Sequence, residues 1–480
     1  MESLLLFFAV LFLCCIFLSK ISDKFGVPSL FIFLGIGMLA GSDGVLGVHF
    51  SDHEVAQNIG MIALIFILYA SGLDTDFSAI KPVFGRGIIL ATLGVVLTAL
   101  AIIPIAMILL DFSFLEAFLL GAIISSTDAA AVFAILKAKK ISLKNNLSPL
   151  IELESGSNDP MAIFLTLTII QMFSLGGSGS VYDWAQTLFM QFGVGILFGY
   201  VFGVGLPGIF NRLRLEISGL YPVFSIAWVL LLYTTCYKIG GNGYLAVYIA
   251  GIFINKKEFV HKKNLIGFHD GIAWAMQIVI FLILGLLVFP SELPQVALSA
   301  FVIGVWLMLV ARPVGVFISL LFSKFSVNEK LFVSWVGLRG VVPIVLATYV
   351  YGADIAHANL IFNIIFVMVL LSIFIQGMSI GFAADKFRVK EALIDEPAQP
   401  VSSPLFKTTL HQATLFFGSK LIGKTIVQLD LPPEFLILLI QREKEYIKPT
   451  GSFVFAQNDI LLIQCDDDTL YKEVVKKIIG

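Results

Sequence analysis

Charge is what this chain lacks. Only 13% of its 480 residues are Asp, Glu, Lys or Arg, about half the share found in soluble globular domains. Acid and base nearly cancel, with a formal net charge of −2; that sum says nothing about partners, and no nucleic-acid signature stands out in the sequence. Cysteine is scarce: Cys14, Cys15 and Cys236 lie in apolar stretches and Cys465 in a polar tail, which excludes a disulfide framework or a cysteine metal site. The six histidines have no metal-ligand spacing. His269, beside Asp270, is expected to be a solvated surface residue, with pH sensing as the alternative. No phosphate loop or nucleophile elbow is present, so the expectation is a protein without enzymatic chemistry or a bound cofactor.

What is present is apolar: 58% of residues are hydrophobic, with 44 phenylalanines. Apolar runs long enough to cross a hydrocarbon core of about 30 Å recur through residues 1–390, giving about thirteen spans. Leu4 to Leu18 reads as a retained first helix, because Glu2 precedes it and no small-residue cleavage site follows. Lys20, Lys81, Lys137, Lys139, Lys140, Lys144, Arg212, Lys256, Lys262, Lys324 and Lys386 fall in loops on one side of this alternation, and Lys238 on the other. The positive-inside rule then places the N-terminus outside and the tail in the cytoplasm. Residues 391–404 read as a polar, proline-marked linker and residues 405–480 as a small α+β cytosolic module. Its strand-like runs are Phe435 to Gln441 and Ile460 to Gln464, with a closing amphipathic helix from Asp467 to Ile479.

Two spans look broken. Ser125-Ser126-Thr127-Asp128 interrupts the fifth (114–136), and Gly337-Leu338-Arg339-Gly340 followed by Pro343 interrupts the twelfth (331–351). They lie seven spans apart, as expected of inverted repeats with an ion site near the bilayer midplane. The fold class expected is therefore an all-α polytopic membrane protein with two broken, crossing helices.

The sixth span (147–174) carries Glu154-Ser155-Gly156-Ser157-Asn158-Asp159-Pro160. A charge at bilayer depth costs roughly 2.5–3.5 kcal/mol on insertion scales, so retained carboxylates point to use. At helical spacing Ser155 and Asp159 share one face, and Glu154 and Asn158 another. A hydroxyl beside a carboxylate suits a small hard cation, and Pro160 frees the carbonyl of Gly156. Asp159 is the candidate exchange site. Burial favours its neutral form and a nearby cation its charged form, so proton and metal ion compete for one group. The plainer alternative is a structural carboxylate bonded across helices. Glu154 is expected to pair with Arg339, although direct contact with the ion is a second reading. Thr127 is a candidate ligand and Asn158 an orienting amide. Asp128 either balances helix ends or binds the ion. Arg312, followed by Pro313, is expected to snorkel towards the membrane surface.

Ser126-Thr127-Asp128, Glu154-Ser155, Asn158-Asp159 and Gly-Leu-Arg-Gly at 337–340, in that order, resemble monovalent cation/proton antiporters of the NhaP type. Residues 268–274 and 285–290 resemble its potassium/proton branch. The tail segments Ile422-Gly423-Lys424-Thr425, Leu429-Asp430-Leu431-Pro432 and Asn458-Asp459-Ile460-Leu461-Leu462 resemble a TrkA-C (RCK C-terminal) domain. The resemblance implies a homodimer in the bacterial cytoplasmic membrane, with a mobile core carrying the crossed broken helices. It implies ion binding by Asp159 with Ser155 and Thr127, and a Glu154–Arg339 pair. An Asn158-Asp159 pair goes with electroneutral one-for-one exchange of K+ or Na+ for H+. The TrkA-C likeness implies a dimeric regulatory module, of a kind some of whose members bind nucleotides. Where the family has proline after Thr-Asp, this chain has Ala129, which puts the local geometry of the break in question. The rival functions are an RCK-gated potassium channel, against which no Thr-Val-Gly-Tyr-Gly-like filter stands in the sequence, and a proton-coupled anion symporter using Arg339.

Overall fold

The computed structural model describes residues 2–25, 29–174, 181–213, 215–353, 355–391, 410–415, 419, 421–429, 431–432, 435–442, 445–457, 459–465, 471 and 474–475. The chain divides into two compact units, Met1–Glu391 and Ala392–Gly480.

The first unit is helical throughout. In chain order come α1 (Glu2–Phe25), α2 (Ser29–Ala40), α3 (His53–Asp74) and α4 (Phe77–Leu110). The fifth span is two pieces, α5 (Phe114–Ile124) and α6 (Ala129–Ala138). Then follow α7 (Leu147–Ser174), α8 (Val181–Leu213), α9 (Leu220–Lys238), α10 (Gly243–Asn255), α11 (Lys262–Leu287) and α12 (Leu293–Ser319). The twelfth span is again two pieces, α13 (Val327–Trp335) and α14 (Val341–Tyr351), and α15 (Ala358–Lys386) closes the bundle. Among the described residues, eight spans are long and apolar enough to cross a membrane by length and composition. Each expected span coincides with one helix or with one broken pair. The continuous α7 runs through Pro160, whose missing N–H removes one turn bond without ending the helix.

The packing repeats with an offset of seven spans, which reverses chain direction and makes the repeats inverted. The second and tenth spans cross where Gly37 faces Gly285. A Cβ on Gly37 would lie 2.4 Å from the carbonyl oxygen of Leu282. The ninth and third spans cross in the same way, Gly251 against Gly72, where a Cβ on Gly72 would lie 2.3 Å from the carbonyl oxygen of Tyr248. The fourth and eleventh each contain a π-turn, Leu90–Gly94 and Leu307–Ala311. Both broken spans start with a reciprocal capping box, Ser113 with Glu116 and Ser326 with Glu329.

Two helix groups result. In one, α2 and α3 pack on α10 and α11, with α8 and α9 against α10. In the other, α4, α5, α7, α12, α14 and α15 pack together. The groups meet where α3, α10 and α11 face α7 and α14.

The second unit is a four-stranded antiparallel sheet, ordered β1-β4-β2-β3. Its strands are β1 (Leu410–Thr414), β2 (Leu436–Arg442), β3 (Glu445–Ile447) and β4 (Ile460–Gln464). Leu415, Ile440, Leu461 and Ile463 are fully buried in its core. Arg442 donates to the buried Asp459 from both Nε and Nη2 at 2.8 Å, which pushes its guanidinium pKa upward. The expected closing helix from Asp467 to Ile479 lies outside the described residues except for Tyr471, Val474 and Val475.

The glycine crossings generate a contrast that can be measured. Gly37→Ala is expected to lower stability by about 1–3 kcal/mol, as overpacking does. Gly35→Ala, two residues away with nothing within 4 Å of its Cβ position, is expected to be neutral or slightly stabilising in the helix. Thermal melting in detergent compares the two.

Candidate functional site

The two breaks meet in the middle of the bundle. The backbone N–H of Asp128 donates to the carbonyl of Leu338 at 2.8 Å, which ties one unwound stretch to the other. Helix ends inside the bundle leave N–H and C=O groups without intrahelical partners, and other groups of the bundle must satisfy them. Asp128 caps α6 by accepting the N–H of Ala131 at 3.1 Å. It also lies against the start of α14, where a Cβ on Gly340 would come within 2.2 Å of its Oδ2. One carboxylate thus faces two helix N-termini, the position that the helix dipole favours. Asp128 caps one helix and also lines the cavity described below.

At the opposite poles, Arg339 Nη1 donates to the carbonyls of Ser125 at 2.8 Å and Ser126 at 2.6 Å, just past the end of α5. Gln376 Nε2 does the same for Trp335, the last residue of α13, at 2.8 Å. Ser372 accepts from the Arg339 N–H at 3.0 Å and donates to Gln376 Oε1 at 2.5 Å. At Ala129, where the resemblance implies a proline, the backbone N–H donates to Ser155 Oγ at 2.8 Å. Proline has no N–H to give, so the substitution adds a bond between α6 and α7 and leaves the break in place.

The expected Glu154–Arg339 pair is corrected. Glu154 is held by Arg312, whose Nη1 and Nη2 reach its two oxygens at 3.0 and 2.9 Å, with both side chains almost fully buried. Arg339 is occupied by the orphan carbonyls beyond α5. Arg312 stands directly after the π-turn of α12 and faces the bundle, so the expectation that it snorkels is also overturned. Asn158 Nδ2 donates to Glu154 Oε1 at 2.8 Å and to Thr127 Oγ1 at 2.6 Å, a bracket between α7 and the break. The Thr127 hydroxyl lies 3.4 Å from both Glu154 oxygens and so belongs to this cluster. Its carbonyl accepts from Ser155 Oγ at 2.7 Å.

Asp159 differs from the other two carboxylates. It accepts a short hydrogen bond from Ser126 Oγ, and among the described residues no basic side chain lies within 4 Å of it. It opens onto a cavity of about 650 Å³ together with Ser155, Asp128, Glu152, Asp74 and Asp270, with Lys139 also in the lining. This mouth is on the side of the lysine-rich loops. Carboxylates lining a low-dielectric cleft concentrate cations there. Sequence reasoning missed Ser126 as the partner of Asp159, and the Asp74–Glu152–Asp270 lining, whose members are far apart in the chain. His269 is fully buried, its Nε2 3.0 Å from Ser225 Oγ, which in turn meets Tyr69 OH at 3.1 Å. It packs α11 on α3 and α9, contrary to a solvated position.

An inverted-repeat bundle with crossed unwound helices over a cavity-facing carboxylate defines a class, the crossed-helix membrane transport proteins. The chain belongs to the sodium/hydrogen exchanger family: the family model described as "Sodium/hydrogen exchanger, transmembrane" matches residues 8–386, and a TrkA-C domain matches residues 410–477. It is 35% identical to the K(+)/H(+) antiporter NhaP2 of Shewanella sp. (strain ANA-3), over 98% of this chain and 82% of that protein. It is 36% identical to the K(+)/H(+) antiporter NhaP of Alkalimonas amylolytica, over 96% of this chain and 81% of that protein. Among solved structures, the sodium proton antiporter MjNhaP1 from Methanocaldococcus jannaschii at pH 8 superposes with a TM-score of 0.71 at 24% identity, covering 81% of this chain and 99% of that one.

The corrected ion pair makes a prediction. Arg312→Met strands a buried carboxylate and is expected to destabilise the protein by about 3–5 kcal/mol, whereas a Glu154→Gln/Arg312→Met double variant recovers most of the loss. Unfolding in detergent with both single variants and the double measures the coupling.

Proposed function

We propose that this protein is a secondary antiporter that exchanges K+, or Na+, for H+ through alternating access to Asp159. The observation that carries the reading is the allocation of charge. Glu154 has Arg312 and Asp128 caps α6 and lies against the start of α14, so that of the three carboxylates at the crossed breaks Asp159 is, among the described residues, the one that faces the cavity without a resident counter-charge. Such a group exists in two neutralised forms, protonated or cation-bound, and the two exclude each other. A carrier that crosses only in these forms couples one proton to one cation. The swap moves no net charge, so exchange is electroneutral. Ser155 and the backbone around Thr127 complete the oxygen shell, with Asn158 and Glu154 fixing the geometry behind it. The relatives named K(+)/H(+) antiporters favour potassium.

The membrane unit sits in the cytoplasmic membrane of a bacterium, N-terminus outside and TrkA-C tail inside, where exchange serves pH and potassium balance. The tail acts as a regulatory, dimer-forming module of a class some of whose members bind nucleotides, and the whole is a homodimer.

Proteoliposomes with an imposed pH gradient test the exchange. Potassium or sodium, but not choline, is expected to collapse the gradient, with no effect of membrane voltage. Asp159→Asn is expected to reduce exchange to the background of empty liposomes with unchanged melting. Lowering pH on the cation side is expected to raise the apparent KM and leave the maximal rate unchanged. Full exchange by Asp159→Asn would remove the assignment.

A further inference from the structure

The first turns of α10 carry three contacts to the other helix group that the exchange reading leaves unused. Asn242, the N-cap of α10, is buried and engages three elements. Its backbone N–H donates to the carbonyl of Gln191 on α8 at 2.9 Å. Its Oδ1 accepts the N–H of Leu245 at 3.0 Å, capping α10 itself. Its Nδ2 donates to the carbonyl of Pro160 at 3.1 Å, on α7 and next to Asp159. The first two bonds stay inside one helix group, and only the third crosses to the other.

Two tyrosines extend the same contact. Tyr244 and Tyr248 are four residues apart and share a face of α10. Tyr244 OH meets Tyr349 OH of α14 at 3.5 Å. The Tyr248 ring lies flush on Gly156 of α7, where a Cβ would come within 2.3 Å of the ring carbon that bears the hydroxyl. That hydroxyl is buried near Thr75 and Ser157 without a hydrogen bond of ordinary geometry. Gly156 and Asp159 line the cavity, whereas Asn242, Tyr244, Tyr248 and Tyr349 do not. The α10 face therefore packs on the stretch of α7 that carries Gly156 and Asp159 without itself lining the cavity, with Asn242 at the end of α10 away from Lys256 and Lys257.

We propose that this face of α10 is a latch, with Asn242 as its positioning residue, that holds α7 where Asp159 faces the lysine-rich side and must release before Asp159 faces the other. The proposal rests on the exchange reading. A neutral hydrogen bond weights a two-state equilibrium by about two- to tenfold, enough to bias the resting state while allowing turnover. The glycine at 156 has a reason here: any side chain would part α7 from α10.

Asn242→Ser separates the latch from the cap, because serine caps a helix as well as asparagine does but is too short to reach Pro160. Sided transport in right-side-out and inside-out vesicles reads the result. With the latch lost, the apparent KM for K+ at the face opposite the lysines is expected to fall about two- to tenfold. The KM at the lysine-rich face does not fall, and the melting midpoint is unchanged. Gly156→Ala, which wedges Tyr248 away, is expected to shift the two KM values in the same directions. KM values at both faces that are unchanged, or altered equally, would overturn the latch. Wild-type vesicles without cation-driven proton flux would remove the exchange reading itself, and the latch with it, before any variant is made.

Discussion

Everything in the membrane unit depends on satisfying four helix ends in the middle of a bilayer. Breaking two helices there exposes N–H groups at the starts of α6 and α14 and carbonyls at the ends of α5 and α13. Leaving such groups unpaired in hydrocarbon costs several kcal/mol each. The chain answers with side chains placed at these ends. Asp128 caps the N-terminus of α6 and lies against the start of α14, Arg339 takes the carbonyls of Ser125 and Ser126, and Gln376 takes that of Trp335. The Asp128–Leu338 backbone bond then ties the two breaks together. These partners lie in α15 and in the breaks themselves, so the crossing point is assembled only when both repeats are in place.

Once the helix ends are satisfied, the remaining buried charges sort themselves. A buried carboxylate without a partner is unstable in its charged form, and Glu154 meets this with a fork–fork pair to Arg312, a geometry that lysine does not supply. Asn158 bonds both to that pair and to Thr127, so the structural ion pair braces the first break from behind. Asp159, one residue on, lies on a different face of α7, and among the described residues its hydrogen-bond partner is the hydroxyl of Ser126. Two adjacent residues of one helix therefore have opposite tasks. Asn158 joins the neutralised Glu154–Arg312 cluster, and Asp159 faces the cavity.

Much of this was legible in the sequence. Apolar runs near bilayer length gave the spans, and the clusters at 125–128 and 337–340 gave the breaks. Helical spacing separated Glu154 and Asn158 from Ser155 and Asp159. The partner of Glu154 was not legible, because Arg312 and Arg339 are both single arginines in apolar spans. Choosing between them depends on the rotation of α12. That rotation is set by the π-turn at Leu307–Ala311, which adds a residue to a turn and leaves no compositional mark. The repeat was partly hidden for the opposite reason. Its signs are Gly37, Gly72, Gly251 and Gly285 and the Ser-x-x-Glu starts at 113 and 326, spread among many glycines and serines of no special role. In the tail, β3 has only three residues and β1 is mixed in pattern, so neither stands out, whereas β2 and β4 coincide with the apolar runs.

The way the two helix groups are joined differs from the way each is held together. Within a group, the closest approaches are backbone to backbone: Gly37 on Gly285, Gly72 on Gly251 and Gly121 on the carbonyl of Ala99. Such contacts interlock over many atoms and tolerate no sliding, because close-packed backbones have no alternative register nearby. Between groups, the contacts are side chains on smooth surfaces: Val345 of α14 over Gly60 of α3, Tyr248 over Gly156, Tyr244 on Tyr349 and the amide of Asn242 on Pro160. Each is worth little alone and can be remade after a displacement. A carrier needs a rigid site and a movable boundary, and glycine serves both in this chain. Paired across two backbones it locks helices together, and set opposite a side chain it seats that side chain against the neighbouring helix.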